Sequence, residues 1–513
     1  MILRAFLTLF AAVLLAALAP LFAQDRPQPL TAAAARPDPA VRLIVLVAVD
    51  QFRPDYLTRF EGDYTGGLHR LLARGAVFTN AYLEHYPTVT AVGHATMLTG
   101  ATPSVSGIIG NDWFDRDSGA SIQSITDGAV TMLGGTGAGA SPRRMLSSTV
   151  GDELKMAAPR GDTASIPRVY GISLKDRAAI LPAGHGADGA FWLQSPTGPF
   201  VSSTYYFTAL PPWVTAFNTR RAPQDGGLVN STARILALAG EAVSAERLGQ
   251  RGVTDLLSVS LSDNDSVGHD FGPDSPQVRE VSVRTDRQLA EFFAMLDAKV
   301  GLAHTLIVLT ADHGVAPLPE LQQERRLPGG RIDAKTLFPP IRAALEARFG
   351  SGTWLLATAG SSPYLNHALI AEKKLDAEQV RRVAAEAARR TPHVTRVYTH
   401  DQLQRGEVGQ DVIDRRVLRS FNAQRSGDLE IIFEPFWMRA PNGTTHGTPY
   451  NYDAHIPLVF MGPGVTPGRY HQHVALNDLA PTVAAMIGVE APSGADGRVL
   501  VEMLAPLPGN ARR

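Results

Sequence analysis

The feature that most constrains this chain is an alternation of short, almost wholly apolar segments with longer segments of helical periodicity. The apolar segments are rich in valine, isoleucine and leucine, and they occupy residues 42–49, 168–173, 255–260, 304–310 and 456–461. Helical periodicity is clearest in residues 277–299 and 477–487. Strands that are apolar on both faces and are joined by helical crossovers are typical of a parallel sheet covered by helices on both sides. The sequence therefore predicts an α/β fold with a doubly wound, mainly parallel sheet.

Composition excludes several classes of protein. The chain has 513 residues, 44% of them hydrophobic, and its 48 Lys and Arg residues nearly balance 49 Asp and Glu residues. This near neutrality leaves no overall positive field, so no nucleic acid is expected as a stable partner. The absence of cysteine excludes disulfide scaffolds, thiolate metal sites and a cysteine nucleophile. Any metal must therefore be bound by histidine and carboxylate side chains, in one large domain with insertions or in two closely joined domains.

The N-terminus has the pattern of a secretory signal peptide. Arg4 carries a positive charge, residues 5–19 are almost entirely apolar or small, and a polar stretch begins at Gln24. We expect residues 1–23 to be a cleaved signal peptide and residues 24–40 to be a linker. The protein is then exported, periplasmic or secreted, and has no membrane contact after cleavage. The alternative is an uncleaved anchor, because the apolar stretch is long enough to span a membrane.

Residues 327–424 differ in pattern from the rest of the chain. The elements expected there are helices at 334–349 and 376–390 and strands at 354–358, 365–370 and 394–399. Helices interleaved with short strands favour a small α+β insertion, with a split βαβ unit as one topology. The expected organisation is therefore a catalytic α/β domain of residues 41–326 and 425–505, interrupted by this insertion.

Ionisable side chains follow three of the predicted strands at the point where each strand ends. They are Asp50, Asp263, Asp265, His269, Asp312 and His313. In an open parallel sheet the ligand crevice lies outside the carboxyl ends of the strands, so we expect these side chains to converge. A divalent metal would relieve the repulsion between the carboxylates, and mixed histidine and carboxylate ligands suit zinc or a first-row neighbour. Taken singly, each residue has an ordinary alternative as part of a strand end or turn.

The local spacing of these residues favours a shared metal site. Asp265 and His269 are four residues apart, with a glycine next to the imidazole that allows a tight turn. Asp312 and His313 are adjacent, so both reach one centre only if the chain turns as it leaves the strand. A further imidazole, His446, lies late in the chain in a loop that has glycine on either side.

Thr90 is the candidate nucleophile. It stands just before a helical segment that ends at Gly100, a typical arrangement for a helix start and stop. The alternative is that Thr90 is only a helix N-cap, and Thr88 is a rival nucleophile.

These residues lie in segments that resemble, in the same order, those of the alkaline phosphatase superfamily. The segments are Asp50, PTVTAVGHATMLTG with Thr90, IIGNDWFD with Asn111, DNDSVGH, TADHG and THG. They are most similar to the branch with a threonine nucleophile, which contains nucleotide pyrophosphatase/phosphodiesterases and a group of periplasmic alkaline phosphatases. The resemblance extends from about residue 42 to residue 500, so it implies a sheet of alkaline-phosphatase type.

The resemblance also implies cofactors and roles for individual residues. Thr90 would attack phosphorus and form a phosphothreonine intermediate, and Asn111 would donate its side-chain amide to a phosphoryl oxygen. Two zinc ions are implied per chain. Their ligands would be Asp50, Thr90, Asp312 and His313 for one ion, and Asp265, His269 and His446 for the other. His85, His94, His185 and His455 lie in matching segments and are interpreted as structural.

The choice of activity within the superfamily depends on Lys175 and Arg177. They follow the predicted strand at residues 168–173, and their spacing alone favours a solvated basic turn. The string GISLKDRAAILP, however, resembles the threonine-type alkaline phosphatases, in which this pair contacts the transferred phosphoryl group. A phosphate monoester is a dianion, so two extra cations stabilise it more than they stabilise a diester. We therefore predict binding of the phosphoryl group by both residues.

The predicted function is that of a zinc-dependent alkaline phosphomonoesterase that acts on small-molecule phosphate monoesters. The first alternative is a phosphodiesterase or nucleotide pyrophosphatase that uses the same metals. The second is a binding protein without catalysis, which is disfavoured because every expected ligand position carries a suitable donor. A monomer is expected, although the sequence leaves the oligomeric state open.

Overall fold

The structure is a computed structural model that describes residues 40–159, 161–220 and 230–505. The predicted signal peptide, residues 1–23, lies outside the described residues, as does all of the predicted linker except residue 40. Among the described helices, none is both long enough and apolar enough to cross a membrane.

A large mixed sheet forms the centre of the molecule. The strands of the described residues, numbered in chain order, are β1 (Leu43–Val49), β2 (Ala76–Tyr82), β3 (Asp112–Asp115), β4 (Ala120–Gln123), β5 (Thr126–Leu133), β6 (Ala138–Ala140), β7 (Val169–Ser173), β8 (Gly189–Leu193), β9 (Phe200–Ser203), β10 (Asp255–Leu261), β11 (Thr305–Thr310), β12 (Gly330–Arg331), β13 (Leu355–Ala359), β14 (Ser362–Leu365), β15 (Val394–Thr399), β16 (Leu429–Phe433), β17 (Trp437–Met438), β18 (His455–Met461), β19 (Gly468–Tyr470) and β20 (Val474–Ala475). The sheet order is β19-β2-β18-β11-β1-β10-β7-β8-β9-β5-β6, and β20 pairs with β2.

The middle of this sheet is parallel. β1 lies between β10 and β11 and is parallel to both, and the parallel pairing continues through β7 to β8. β18 runs antiparallel to β11 and β2, and the pairing of β9 with its neighbours is also antiparallel. The prediction of a mainly parallel, doubly wound α/β core is confirmed. Each predicted core strand is present with its ends displaced by at most one residue, because the buried apolar segments define the strands.

Helices cover the sheet and connect its strands. In chain order they are α1 (Tyr56–Arg59), α2 (Gly67–Arg74), α3 (Thr90–Thr99), α4 (Pro103–Ser106), α5 (Val150–Met156), α6 (Asp176–Ala183), α7 (Pro212–Arg220), α8 (Ser231–Ala245), α9 (Asp263–Phe271), α10 (Pro276–Lys299), α11 (Pro319–Glu324), α12 (Phe338–Phe349), α13 (His367–Glu372), α14 (Ala377–Arg389), α15 (His400–Arg405), α16 (Val412–Ser420), α17 (Asn451–Ala454) and α18 (Leu479–Ile487). The helix predicted at 277–299 is α10. The segment 477–487 begins in a 3-10 turn at Leu476–Asp478 and continues as α18.

Most of the elements predicted in the insertion are present, and one of the predictions is wrong. The strands expected at 354–358 and 394–399 are β13 and β15, and the helix expected at 376–390 is α14. The helix expected at 334–349 is divided into a 3-10 turn at Ala334–Thr336 and α12, which has proline in its first turn. The strand expected at 365–370 is wrong. β14 ends at Leu365, and Asn366 then caps α13 by accepting a hydrogen bond from Leu369 N at 3.0 Å.

The insertion has a hydrophobic cluster of its own. Buried side chains of α12, β13 and α14, including Ile341, Leu355 and Ala384, pack together in it. Leu429 and Ile431 of β16 also belong to this cluster, although they lie beyond residue 424. The proposed domain boundaries stay a prediction. The packing nevertheless shows that this segment buries its apolar side chains largely against itself.

Candidate functional site

Strand register brings the predicted ionisable residues to one edge of the sheet. At the ends of the central strands, Val49 pairs with Leu261 and Ala48 pairs with Thr310. The residues that follow these strands therefore leave the sheet at the same level. The convergence is direct, because Gln51 N donates to Asp312 Oδ1 at 3.1 Å and Gln51 Nε2 donates to Asp265 Oδ1 at 2.8 Å.

Histidine and aspartate donors form two overlapping groups at this edge. Within each group the donor atoms all lie within 4.8 Å of one another. The groups are Asp265, His269 and His446, and Asp50, Asp265 and His313. Asp312 adjoins the second group, since its Oδ2 lies 3.4 Å from His313 Nε2. Asp265 therefore belongs to both groups.

Three donor atoms in this cluster are buried without a hydrogen-bond partner. They are Asp50 Oδ1, Asp312 Oδ2 and His313 Nε2. A buried carboxylate oxygen or imidazole nitrogen without a partner costs free energy unless something compensates for its lost hydration. Oxygen and imidazole nitrogen donors of this kind, so close together, can hold a divalent metal. The donor set fits zinc on its chemistry.

The three imidazoles are oriented by main-chain carbonyl groups. His269 Nδ1 lies 2.7 Å from Thr444 O, His446 Nδ1 lies 2.8 Å from Thr88 O, and His313 Nδ1 lies 3.0 Å from Gly314 O. A carbonyl accepts, so each Nδ1 donates and each Nε2 is the ring nitrogen left to bind a ligand.

Burial keeps two of these imidazoles neutral. It lowers the pKa of His313 to about 4 and the pKa of His446 to about 3. The two rings stack with their centroids 3.5 Å apart. Neutral imidazole is the form that binds a metal.

Asp263, the third aspartate near the end of β10, is outside the cluster. Its Oδ1 accepts hydrogen bonds from the main-chain and side-chain groups of Ser231, and its Oδ2 accepts from Thr232 N at 3.2 Å. Asp263 therefore holds the start of α8. The expectation that every ionisable residue at the strand ends converges does not hold for this side chain.

Thr90 begins α3 next to the cluster. The N-cap residue of this helix is Val89, so the alternative that Thr90 is the N-cap is wrong. Its side chain is 2% exposed, and its Oγ1 lies 3.4 Å from Lys175 Nζ. The rival hydroxyl of Thr88 donates to Thr448 O at 2.9 Å. Gly93 allows α3 to approach the metal cluster, because a Cβ there would lie 2.3 Å from Asp312 O.

Lys175 lies among the carboxylates. Its Nζ is 2.5 Å from Asp50 Oδ2 and 2.6 Å from Asp265 Oδ2. It is therefore not the solvated basic residue that its spacing alone suggested. Burial and the neighbouring Asp265 and Asp312 raise the pKa of Asp50 to about 6, against the effect of Lys175. Burial also favours the protonated form of Asp265, but the Lys175 ammonium holds its pKa well below the usual range. Three carboxylates around one ammonium group leave excess negative charge for a cation.

Asn111 and Arg177, the other two predicted phosphoryl-binding residues, have contacts of different kinds. Asn111 Oδ1 accepts a hydrogen bond from Ala91 N at 2.8 Å, in the first turn of α3. With its oxygen held there, its Nδ2 is a potential donor to a ligand beside Thr90. The Arg177 guanidinium lies 3.7 Å from Asp176 Oδ1, and its Nε is buried without a hydrogen-bond partner.

Two residues that support the cluster carried no functional prediction from the sequence. Gln51 has a φ of 63° and contacts Asp312 and Asp265 as described above. His94 lies between Thr90 O, at 2.9 Å from its Nδ1, and Ser260 Oγ, at 2.8 Å from its Nε2. Its Nδ1 is also 3.2 Å from Asp312 Oδ2. The position of Gln51 directly after Asp50 was the only available signal, and a glutamine there has no distinctive chemistry.

Asp453 joins the two loops that carry His313 and His446. It is fully buried, and its Oδ2 accepts from Thr448 N at 2.8 Å and from Thr448 Oγ1 at 2.6 Å. Its main-chain oxygen accepts from Gly314 N at 2.7 Å. Asp453 therefore holds Thr448, two residues after His446, and Gly314, one residue after His313.

Replacement of Asp453 by alanine is expected to lower the affinity for a divalent metal by about 10- to 100-fold, the usual effect of removing a group that orients a ligand. Asp453→Asn keeps one oxygen acceptor and should recover part of the loss. Equilibrium dialysis against zinc measures the change, with the exposed Asp117→Ala as the control. Wild-type metal affinity in Asp453→Ala would show that the loop carrying His446 holds its position without this carboxylate.

Comparison with known proteins gives a consistent result. Residues 44–452 match the family model described as type I phosphodiesterase/nucleotide pyrophosphatase. The chain is 34% identical to alkaline phosphatase PafA of Elizabethkingia meningoseptica, over 91% of this chain and 95% of that protein. It is 33% identical to alkaline phosphatase PhoV of Synechococcus elongatus, over 90% of this chain and 93% of that protein. The crystal structure of wild-type PafA covers 92% of this chain and 100% of its own, with a TM-score of 0.85.

Proposed function

The chain belongs to the type I phosphodiesterase/nucleotide pyrophosphatase family, within the alkaline phosphatase superfamily, and from this premise we propose that it is a zinc-dependent alkaline phosphomonoesterase. It is a phosphoric monoester hydrolase, and the proposal adds the metal, the number of metal ions and the nucleophile. Phosphate monoesters would be hydrolysed through a phosphothreonine intermediate on Thr90, with two zinc ions per chain.

The observation that carries the proposal is the position of Lys175 beside Thr90. The ammonium nitrogen lies 3.4 Å from Thr90 Oγ1, so a phosphoryl group attacked by this oxygen would lie next to a positive charge. A monoester dianion gains more from that charge than a diester monoanion does. Lys175 therefore supports a phosphomonoesterase over a diesterase.

The proposed ligands of the two ions follow the two donor groups. Asp50, Thr90, Asp312 and His313 would hold one ion, and Asp265, His269 and His446 would hold the other. Support comes from the three buried donor atoms without hydrogen-bond partners and from the imidazoles whose Nε2 atoms retain their lone pairs. When bound, the ions would polarise the phosphoryl group and stabilise charge on the entering and departing oxygens.

The residues of the chain then have distinct parts in the reaction. Thr90 Oγ1 attacks phosphorus in line, and the phosphorus–alcohol bond breaks as the phosphothreonine forms. The start of α3 favours an anion there, because its first N–H groups point outward. Asn111 Nδ2, Lys175 and Arg177 bind the phosphoryl oxygens. Water then attacks phosphorus from the side that the alcohol left, the bond between phosphorus and Thr90 Oγ1 breaks, and phosphate is released, so two displacements give net retention at phosphorus.

Export forms a further part of the proposal. The apolar segment after Arg4 and the polar stretch from Gln24 support cleavage after Ala23. The mature protein would then act in the periplasm or outside the cell.

Removing both cations tests the choice between monoesterase and diesterase. In Lys175→Ala/Arg177→Ala we expect kcat/KM for p-nitrophenyl phosphate to fall about a thousandfold, because two charge-assisted contacts to the phosphoryl group are lost. The value for bis-p-nitrophenyl phosphate should change by less than about tenfold, since a monoanion depends less on them. Steady-state kinetics of the purified, zinc-loaded protein on both esters give the comparison.

Lys299→Ala/Arg348→Ala, which removes two exposed cations far from Thr90 in sequence, is the matched control and should behave as wild type. A preference for the diester that persists in Lys175→Ala/Arg177→Ala would favour the phosphodiesterase alternative, which the name of the matching family also suggests.

A further inference from the structure

A pocket of about 400 Å³ adjoins the metal cluster. Residues next to the histidine–aspartate cluster form one part of its wall, and residues between 359 and 433 form another. The insertion and the strand that follows it therefore reach the site. Representative lining residues are Val89, Asn111 and His446, and Ala359, Tyr364 and Phe433. Val89 directly precedes Thr90, so the pocket begins beside the proposed nucleophile.

Seven aromatic side chains contribute to the wall of this pocket, and the hydroxyl groups of its three tyrosines have partners within the protein. Tyr364 OH donates to Arg425 O at 2.8 Å, and Tyr450 OH donates to Phe433 O at 2.6 Å. Tyr86 OH lies 3.2 Å from Ser361 Oγ. The tyrosines therefore offer mainly ring carbon to an occupant of the pocket.

Two charged side chains of the wall have hydrogen-bond partners within the protein. Glu430 Oε2 accepts from Ser362 Oγ at 2.5 Å, and Arg439 Nη1 donates to Gly360 O at 2.6 Å. Burial raises the pKa of Glu430 to about 7, as expected for a carboxyl group in apolar surroundings. The phosphoryl chemistry proposed above uses none of these groups. The pocket therefore presents several aromatic rings next to the proposed phosphoryl site.

We propose that this pocket binds the alcohol group of the substrate, and that the preferred substrates are phosphate monoesters of aromatic alcohols. The inference rests on the proposed phosphomonoesterase function and adds its substrate class. With the phosphoryl group held beside Thr90, Asn111 and His446, the ester's alcohol portion would extend along the aromatic wall. Ring burial and aromatic contact then stabilise the bound ester.

Two esters with alcohols of similar acidity test this inference. 2-Phenylethyl phosphate and ethyl phosphate differ in the ring but not in the type of leaving group. The wild-type, zinc-loaded enzyme should show a kcat/KM about 10- to 100-fold higher for the phenylethyl ester, as expected for burial of one aromatic ring. Equal values for the two esters would overturn the inference and leave the phosphomonoesterase proposal intact.

Ala359→Trp fills the pocket from β13 and should abolish the preference while leaving ethyl phosphate hydrolysis unchanged. Its matched control is Thr358→Trp, because Thr358 is exposed on the other face of the same strand. Ala359→Met provides a smaller change if the tryptophan variant does not fold. A preference that survives both Ala359 variants would overturn the inference. If neither ester were hydrolysed by the wild type, both this inference and the proposed function would be wrong.

Discussion

Thr90→Ala is expected to lower kcat/KM for p-nitrophenyl phosphate by at least about four orders of magnitude, since removal of the serine nucleophile of a protease lowers kcat about 10⁶-fold. The reason is positional. Thr90 Oγ1 lies next to Lys175 at the start of α3, whereas the hydroxyl of Thr88 is already bonded to Thr448 O. Steady-state kinetics measure the loss. Acid quenching with radiolabelled substrate should trap a phosphoprotein in the wild type and none in the variant.

Thr90→Ser is the conservative control and should retain both activity and the phosphoprotein, because it keeps a hydroxyl in the same place. Thr88→Ala should cost less than about tenfold, the scale of one lost hydrogen bond. A phosphoprotein in Thr90→Ala, or its loss in Thr88→Ala alone, would assign the nucleophile to Thr88 instead.

Removal of metal by a chelator is expected to lower the rate of p-nitrophenyl phosphate hydrolysis about a thousandfold or more. A bound ion contributes several kcal/mol to catalysis. The melting temperature should fall as well. Without a bound metal ion, the buried carboxylates of Asp50, Asp265 and Asp312 are left with Lys175, neighbouring imidazoles and hydrogen bonds to offset their repulsion. Zinc should restore activity, and elemental analysis of the restored protein should give two zinc ions per chain.

Asp263→Asn is the matched control for the metal ligands. It lies two residues before Asp265 but is bonded to Ser231 and Thr232, so it should lose stability without losing zinc. Asp265→Asn should lose the zinc ion that Asp265, His269 and His446 would hold, and should weaken binding of the other ion, because Asp265 also lies next to the donor atoms of Asp50 and His313. Full activity after chelation, or restoration by calcium but not by zinc, would contradict the proposed cofactor.

The central fold could be predicted because its information is local and strongly patterned. A wholly apolar segment such as residues 43–49 can only be a buried strand or helix segment, and its length and β-branched residues favour the strand. The strand predicted at 365–370 was wrong because the segment has apolar residues at both ends but contains Asn366, whose side chain caps a helix. Capping competes with strand pairing there, and the apolar pattern does not report which of them prevails.

The candidate site could be predicted where a metal-binding type of residue directly follows a predicted core strand. Aspartate and histidine at the ends of parallel strands had to meet at one edge, and Asp50, Asp312 and His313 do so. The contacts of Gln51 and Asp453 could not be foreseen, because they depend on loops that approach each other from distant parts of the chain. The pocket walled by residues 359–433 is a further example, since nothing local indicates that the insertion reaches Asn111.

The three imidazoles owe their orientation to main-chain carbonyl groups, and this has a consequence for how the cluster tolerates sequence drift. Any amino acid supplies a carbonyl, so Thr444 and Thr88, which hold His269 and His446 in place, can change identity without releasing the rings. A one-residue insertion or deletion in the same loops would displace the acceptor itself. Related chains should therefore vary in side chains at these positions while keeping loop length constant.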